Sequence, residues 1–247
     1  MKNIHTFKDI SEVSRFAADK FINIGNAAIK KNGRFTVALA GGSTPKILYQ
    51  LLATEEYRSQ IDWHSVFFFF GDERDVSPMS DRSNFRMANE SMLKGLKIPK
   101  TNILRWQTEI IDAEGVAIAY EKTLMRFFEL SLGSFPVFDL ILLGLGEDGH
   151  TASLFPQTSA LKETGRLAVS TFVEKLDANR LTMTFPVINN AAMIMFLVCG
   201  EAKAEALKEV LEGESNPDKY PAQSVAPASG KIIWVLDDDA AALLSGL

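Results

Sequence analysis

Residues 138–156 read FDLILLGLGEDGHTASLFP, a short apolar run that breaks into glycines. Leu140–Leu143 is bounded sharply on both sides, which predicts a fully buried strand rather than a helix. The chain then passes through Gly144, Gly146 and Gly149 to His150. Glycine has no Cβ, so this stretch can turn tightly and approach a ligand closely. In an open α/β sheet, ligands bind at the carboxyl ends of strands. Asp148 and His150 are therefore expected at a working end of the sheet, with a satisfied loop histidine as the plainer alternative. The three glycines also spell G-x-G-x-x-G, but a dinucleotide site needs a long helix after the turn, and Pro156 comes too soon. Glu147 and Asp148 would also stand where a pyrophosphate needs backbone N–H groups.

Outward from that stretch, strands and helices alternate. Residues 9–31 carry apolar side chains at helical spacing, and Asn32-Gly33 ends the helix. Residues 35–40 read as a buried strand, followed by Gly41-Gly42-Ser43-Thr44-Pro45, where Thr44 is expected to cap a helix that begins at Pro45. Val66–Phe70 is a second strand and 102–105 a shorter one, followed by a helix over 113–130. After the central strand, 181–185 alternates Leu, Thr, Met, Thr, Phe as a half-exposed strand would, and Met193–Val198 is another buried one. Gly200 leads into a helix over 201–211. Residues 212–230, rich in Pro, Ser and Gly, form a long loop before a last strand at 232–236 and a short helix opened by 237–239. The pattern predicts an α/β fold: a doubly wound, mostly parallel open sheet with helices on both faces, Rossmann-like. No repeat or linker divides the chain, so one domain over 1–247 is expected.

Composition narrows the partners. At 247 residues the chain can bury a substantial core, and its net charge of −5 argues against a surface built to neutralise nucleic-acid phosphates. A small anionic ligand remains compatible, because local cations can outweigh a mildly acidic whole. The single cysteine, Cys199, excludes internal disulfides and follows an apolar run, so it reads as a buried inert thiol. His5 and His64 are isolated, without metal-ligand spacing. The N-terminus has no apolar signal region and no run approaches a membrane span, so a cytoplasmic protein with no membrane partner is expected.

Four loops should share the carboxyl edge of the sheet: the Gly41–Thr44 turn, Gly71-Asp72-Glu73-Arg74, the Asp148/His150 turn and Gly200-Glu201-Ala202-Lys203. Lys203 opposes the macrodipole of its own helix, at a cost of a few tenths to about 1 kcal/mol. That placement makes sense where ammonium and helix end both face an anion, although a solvated lysine is the plainer reading. Lys46 has the same position after Pro45 and reads as surface. Arg74 is either ion-paired to its acidic neighbours or free to fork onto a phosphate, and Arg180 is a weaker candidate of the same kind.

AGGSTPKILYQLL (40–52), GDERDV (71–76) with Ser83-Asn84, and GLGEDGHTASLFP (144–156) together resemble the 6-phosphogluconolactonase family. So do NRLTMTFPVINNA (179–191), GEAK (200–203) and the closing PAQSVAP with IIWVLDDDAA. The resemblance runs along nearly the whole chain. It implies hydrolysis of 6-phospho-D-glucono-1,5-lactone to 6-phosphogluconate, in the oxidative pentose phosphate pathway, with no cofactor and no metal. On this resemblance His150 is the catalytic base, with Asp148 able to orient it, and Arg74 and Lys203 bind the phosphate. Gly41, Gly42, Ser43 and Thr44 line the sugar-phosphate pocket, with Arg180 near it. The nearest rival on a similar scaffold is an amino-sugar-phosphate deaminase/isomerase, which carries a glutamate in the stretch matching Ala152–Pro156. This chain has none there, although Asp72 matches the rival's proton-shuttling aspartate. A non-catalytic sugar-phosphate sensor would keep the cations but have no need of His150.

Overall fold

A computed structural model describes residues 3–110 and 112–245. In chain order the first half comprises β1 (Ile4–Phe7), α1 (Ile10–Asn32), β2 (Phe35–Leu39), α2 (Ser43–Leu52), α3 (Glu55–Arg58), β3 (Val66–Phe70), β4 (Asp72–Arg74), α4 (Asn84–Ala88), β5 (Ile103–Leu104) and α5 (Ala113–Phe127). The second half comprises β6 (Leu140–Leu143), β7 (Ala168–Val173), β8 (Ala178–Met183), α6 (Phe185–Asn189), β9 (Met193–Val198), α7 (Ala204–Glu212), β10 (Lys231–Asp237) and α8 (Asp238–Ala241).

Seven strands form one sheet in the order β1-β10-β9-β6-β2-β3-β5, and every pair in it is parallel. The α/β sheet expected from the sequence is therefore present. From β2 the chain proceeds outward to β3 and β5, whereas from β6 it proceeds the other way to β9 and β10. The order reverses between β2 and β6, which makes their carboxyl ends the crevice where a doubly wound sheet receives its ligand. Both strands are buried along their whole length, as strands covered by helices on both faces must be.

Local chemistry fixes the element ends. Asp9 caps α1 by accepting from the N–H groups of Ser11 and Glu12, and Gly33, at φ 73°, closes it by donating to the Ile29 carbonyl. Two buried tyrosines clasp the strand ends that lead into the crevice. The Tyr49 hydroxyl donates to the Ala40 carbonyl at 2.8 Å and accepts from the Ala40 N–H at 3.0 Å. Tyr120 does the same for Phe70, at 3.0 Å each way. Burial pushes both phenols far above their ordinary range, so each stays a neutral donor and acceptor.

Several elements differ from the sequence expectation. Helix α2 begins at Ser43 with Gly42 as its cap, at φ 105°, so Thr44 lies inside the first turn and is buried rather than capping. Glycine can adopt this φ, and the turn starts sooner than a threonine cap would allow. The strand expected over 181–185 runs instead over Ala178–Met183, and its last three residues are buried. It is the central strand of a second, antiparallel sheet, β4-β8-β7, which packs against α5. Phe185 already belongs to α6. Helix α5 stops at Phe127, and Glu129 takes a positive φ of 51°. The 201–211 helix is a 3₁₀ turn, Glu201–Lys203, followed by α7. Strand β4 leaves β3 across Gly71 alone, so the small sheet grows directly out of the crevice edge.

Candidate active site

Two adjoining cavities of about 260 and 570 Å³ open at the carboxyl ends of β2 and β6, and share Asp72, Arg74, Gly146, His150, Ala152 and Lys203. Gly41 and Gly42 line the smaller one; Asp148, Lys175 and Arg180 line the larger. The four expected loops thus meet in one cleft. Ser43 and Thr44 stand in the first turn of α2 and line neither cavity. Lys46 lines a separate surface groove with Gln50, Asp81 and Arg86. Another cavity of about 520 Å³, between α7 and β10, carries Lys231 but no carboxylate or imidazole.

The turn after β6 is built around the imidazole. Gly146 donates to the His150 carbonyl at 2.8 Å and Gly149 to the Gly146 carbonyl at 3.0 Å, which folds residues 146–150 into a closed loop. A Cβ on Gly146 would lie 2.0 Å from His150 Nδ1, so the ring occupies the space that only glycine leaves open. Gly149, at φ 75°, packs under Tyr220 of the 212–230 loop, and its carbonyl accepts from the Ala222 N–H at 2.9 Å.

Two contacts fix the His150 ring, and a third engages one of its partners. Its Nδ1 meets Asp148 Oδ1 at 2.5 Å, and its ring stacks on Phe155 with centroids 3.9 Å apart. Lys175, from the turn between β7 and β8, pairs with the other oxygen of Asp148. Side chains two apart in a loop do meet here. With Nδ1 engaged by a carboxylate, Nε2 is the nitrogen left to take a proton. Burial pulls the imidazole down to about 4; Asp72 pushes it back up, and Lys203, Arg180 and Arg74 lower it further. The ring is therefore neutral at pH 7, and more weakly basic than an ordinary histidine.

The cations arrive from different elements. Arg74 and Arg180 lie directly opposite one another in the β4·β8 register. Their guanidinium contacts are carbonyl oxygens, those of Arg82 at 2.6 Å and Asn179 at 3.1 Å. Neither forms an ion pair with a carboxylate among the described residues. Lys203 reaches Glu147 at 3.4 Å, with the lysine largely covered and the glutamate exposed. Behind them Glu73, 2 % exposed, accepts from the N–H groups of Arg74, Asn84 and Phe85 at 2.7–2.8 Å and from the Ser83 hydroxyl at 3.1 Å. Asp72, also buried, accepts from Ser153 Oγ at 2.7 Å and Asn84 Nδ2 at 3.2 Å. Ser153 is thus a buried hydrogen-bond partner, 1 % exposed.

Sequence reasoning missed Lys175 and Phe155, because their importance comes from contacts made across the fold. Cys199 is partly buried, with its thiol pushed up by burial to about 12, as suits an inert thiol. No group of three or more His, Cys, Asp or Glu side chains among the described residues could hold a metal ion. No helix among them is long and apolar enough to cross a membrane.

Comparison with known proteins places this site in context. Residues 8–234 match the family described as glucosamine-6-phosphate isomerases/6-phosphogluconolactonase. The chain is 46% identical over 213 residues to a 6-phosphogluconolactonase of Synechocystis sp., covering 86% of each chain. It is 39% identical to one of Nostoc sp., covering 99% of each. The solved structure of 6-phosphogluconolactonase from Trypanosoma brucei superposes with a TM-score of 0.88 at 30% identity, covering 99% of each chain. The strand order, the glycine turns and these similarities agree, and the chain belongs to the glucosamine-6-phosphate isomerase/6-phosphogluconolactonase family.

Proposed function

We propose that the chain hydrolyses 6-phospho-D-glucono-1,5-lactone to 6-phosphogluconate, with His150 as general base and Arg74, Arg180 and Lys203 as the phosphate clamp. The observation that carries the reading is the cleft itself: a neutral imidazole with Nε2 free shares one cavity with these three cations. The names of the relatives supply the substrate.

The chemistry follows from the ester. A lactone carbonyl is already electrophilic, so the enzyme has to deliver water and remove its proton. Nε2 takes that proton as the water oxygen bonds to the carbonyl carbon, and Asp148 at Nδ1 stabilises the imidazolium that forms. Backbone N–H groups of the glycine turns that line the cavities, those of Gly41 and Gly42 among them, are the donors available to the resulting oxyanion. Collapse of the tetrahedral intermediate breaks the ring C–O bond, and the imidazolium returns its proton to the departing hydroxyl. The phosphate clamp contributes positioning, which holds the ring within reach of the base.

The deaminase/isomerase alternative wants an acid beside the histidine from residues 152–156. Phe155 occupies that place and stacks on the ring. The test is to generate the lactone in situ and follow its loss above the spontaneous rate. Wild type is expected to accelerate it, and His150→Ala to lose about 10²–10⁴-fold while still binding 6-phosphogluconate. An unimpaired variant removes His150 from the mechanism. A wild type without activity, yet binding 6-phosphogluconate, favours a sensor.

A further inference from the structure

We propose that Lys175, at the tip of the β7–β8 hairpin, is a positioning residue for His150, acting through Asp148 and Phe155 to hold the imidazole and to set how readily it takes a proton. The inference rests on His150 being the base, and its test separates the two.

Lys175 touches both groups that grip the imidazole. Its ammonium pairs with Asp148 Oδ2, while Asp148 Oδ1 meets His150 Nδ1 at 2.5 Å. The same ammonium lies 4.9 Å from the centroid of the Phe155 ring, whose own stacking partner is His150. Asp148 is thus a bridge with a different partner on each oxygen, and Phe155 touches both the cation and the imidazole. The hairpin that carries the lysine is itself fixed. Glu174–Leu176 makes a single 3₁₀ turn, closed by the Asp177 N–H donating to the Glu174 carbonyl at 3.0 Å, with Asp177 at φ 43°. Leu176 lines the same cavity as Lys175.

Stability does not account for this arrangement. The lysine side chain is 51% exposed, and an ion pair with one partner open to water contributes little to folding. Its effect on the histidine is another matter. A carboxylate shared with a lysine draws a proton onto the imidazole less strongly than one devoted to it. The other charges facing His150 are Asp72 and Arg74 from β4, Arg180 from β8, Lys203 from the turn after β9, and Glu147 on its own loop. Tyr220 packs from the 212–230 loop onto Gly149. Lys175 is the cation that contacts the histidine's own hydrogen-bond partner, so it acts on the ring through that bond.

The direction is fixed by sign. Lys175→Met keeps the length of the stem and removes the charge. Asp148 then serves His150 alone, the imidazolium is stabilised, and the ring protonates at higher pH. The shift expected is about 0.5–1 pH unit for one charge at this range in a partly wetted cleft. Only three histidines occur in the sequence, so His150 can be followed by NMR in protein labelled at histidine. The expected result is an upward move of the His150 midpoint in K175M, the same move in the acid limb of kcat/KM, and wild-type behaviour in K175R. In an Asp148→Asn background K175M should move the midpoint no further, because the bridge is gone. An unmoved midpoint in K175M overturns the proposal, as does a rise in KM alone, which would make Lys175 a substrate contact. A midpoint that moves without the rate following supports the role of Lys175 and removes His150 as base.

Discussion

His150 shows how far a cleft can pull one side chain from its ordinary chemistry. Burial and three cations keep it neutral down to about pH 4, although a base working at neutral pH gains from being stronger than that. In the proposed mechanism, substrate supplies the remedy. A phosphate dianion seated among Arg74, Arg180 and Lys203 cancels the positive field that disfavours the imidazolium, so binding should strengthen the base. The sign is unambiguous: these cations lower the proton affinity, and an anion on them raises it. The His150 midpoint is therefore expected to rise by about one unit when 6-phosphogluconate saturates the protein, followed by NMR as for the lysine variants. A midpoint that stays put or falls would mean that the phosphate binds away from these three side chains. The histidine was legible in the sequence because its glycine setting and its strand are contiguous in the chain. Its contact with Asp148 was legible only as a possibility of the turn, since nothing local fixes how two loop side chains face. Its proton affinity was not legible at all, because the groups that set it come from β4, β8 and the turn after β9.

Strands β4 and β8 carry the clearest conflict between stability and use. Arg74 and Arg180 stand in register across an antiparallel pair, where like charges oppose folding by roughly 0.2–1 kcal/mol. Burial lowers the Arg180 guanidinium's proton affinity, and Arg74 and Arg82 lower it further, against a smaller pull from Asp72 and Glu73. Such a pair makes sense as a site prepared for an anion. Arg180→Met, which retains most of the stem, is expected to leave the ligand-free protein as stable as wild type or up to about 1 kcal/mol more so by urea unfolding. If the guanidinium clamps the phosphate as proposed, it holds it equally in the ground state and the transition state, and the same variant should raise KM about tenfold or more while kcat changes little. A variant that loses stability and keeps its KM would assign Arg180 a structural role. Elements of this small sheet were the hardest to read from sequence. Asp72–Arg74 is too short and polar to look like a strand, and β7 is set by pairing with β8 and cover from α5 rather than by a local pattern. The buried strands of the large sheet were plain, since short apolar runs bounded by turn residues have little else to become. The start of α2 escapes a capping rule based on hydroxyl side chains, because Gly42 caps it.

For the molecule as a whole, net charge and local field have opposite signs. The chain carries −5, yet Arg74, Arg180, Lys203 and Lys175 line the larger cavity against Asp72, Glu147 and Asp148, a local excess of one positive charge near the point where the strand order reverses. Topology is what makes the concentration possible: β4, β8 and the turns after β6 and β9 contribute side chains to one edge although they are scattered through the chain. A dianionic substrate approaching such a protein is repelled weakly at long range and attracted strongly at the cleft, where low-dielectric walls focus the field. Salt with a Debye length of about 10 Å at 0.1 M screens the attraction during approach, while contacts at hydrogen-bond range survive it. The expected outcome is that kcat/KM for the phosphorylated lactone falls about 3–10-fold as ionic strength rises from about 20 mM to about 500 mM. Lactone without the phosphate should show almost no such fall, and Arg180→Met should flatten it for the natural charge. If the uncharged lactone tracks the charged one, salt is acting on the protein at large, and the crevice cations do not steer. If the phosphorylated lactone instead gains from salt, the acidic exterior outweighs the cleft, and the clamp acts only after arrival.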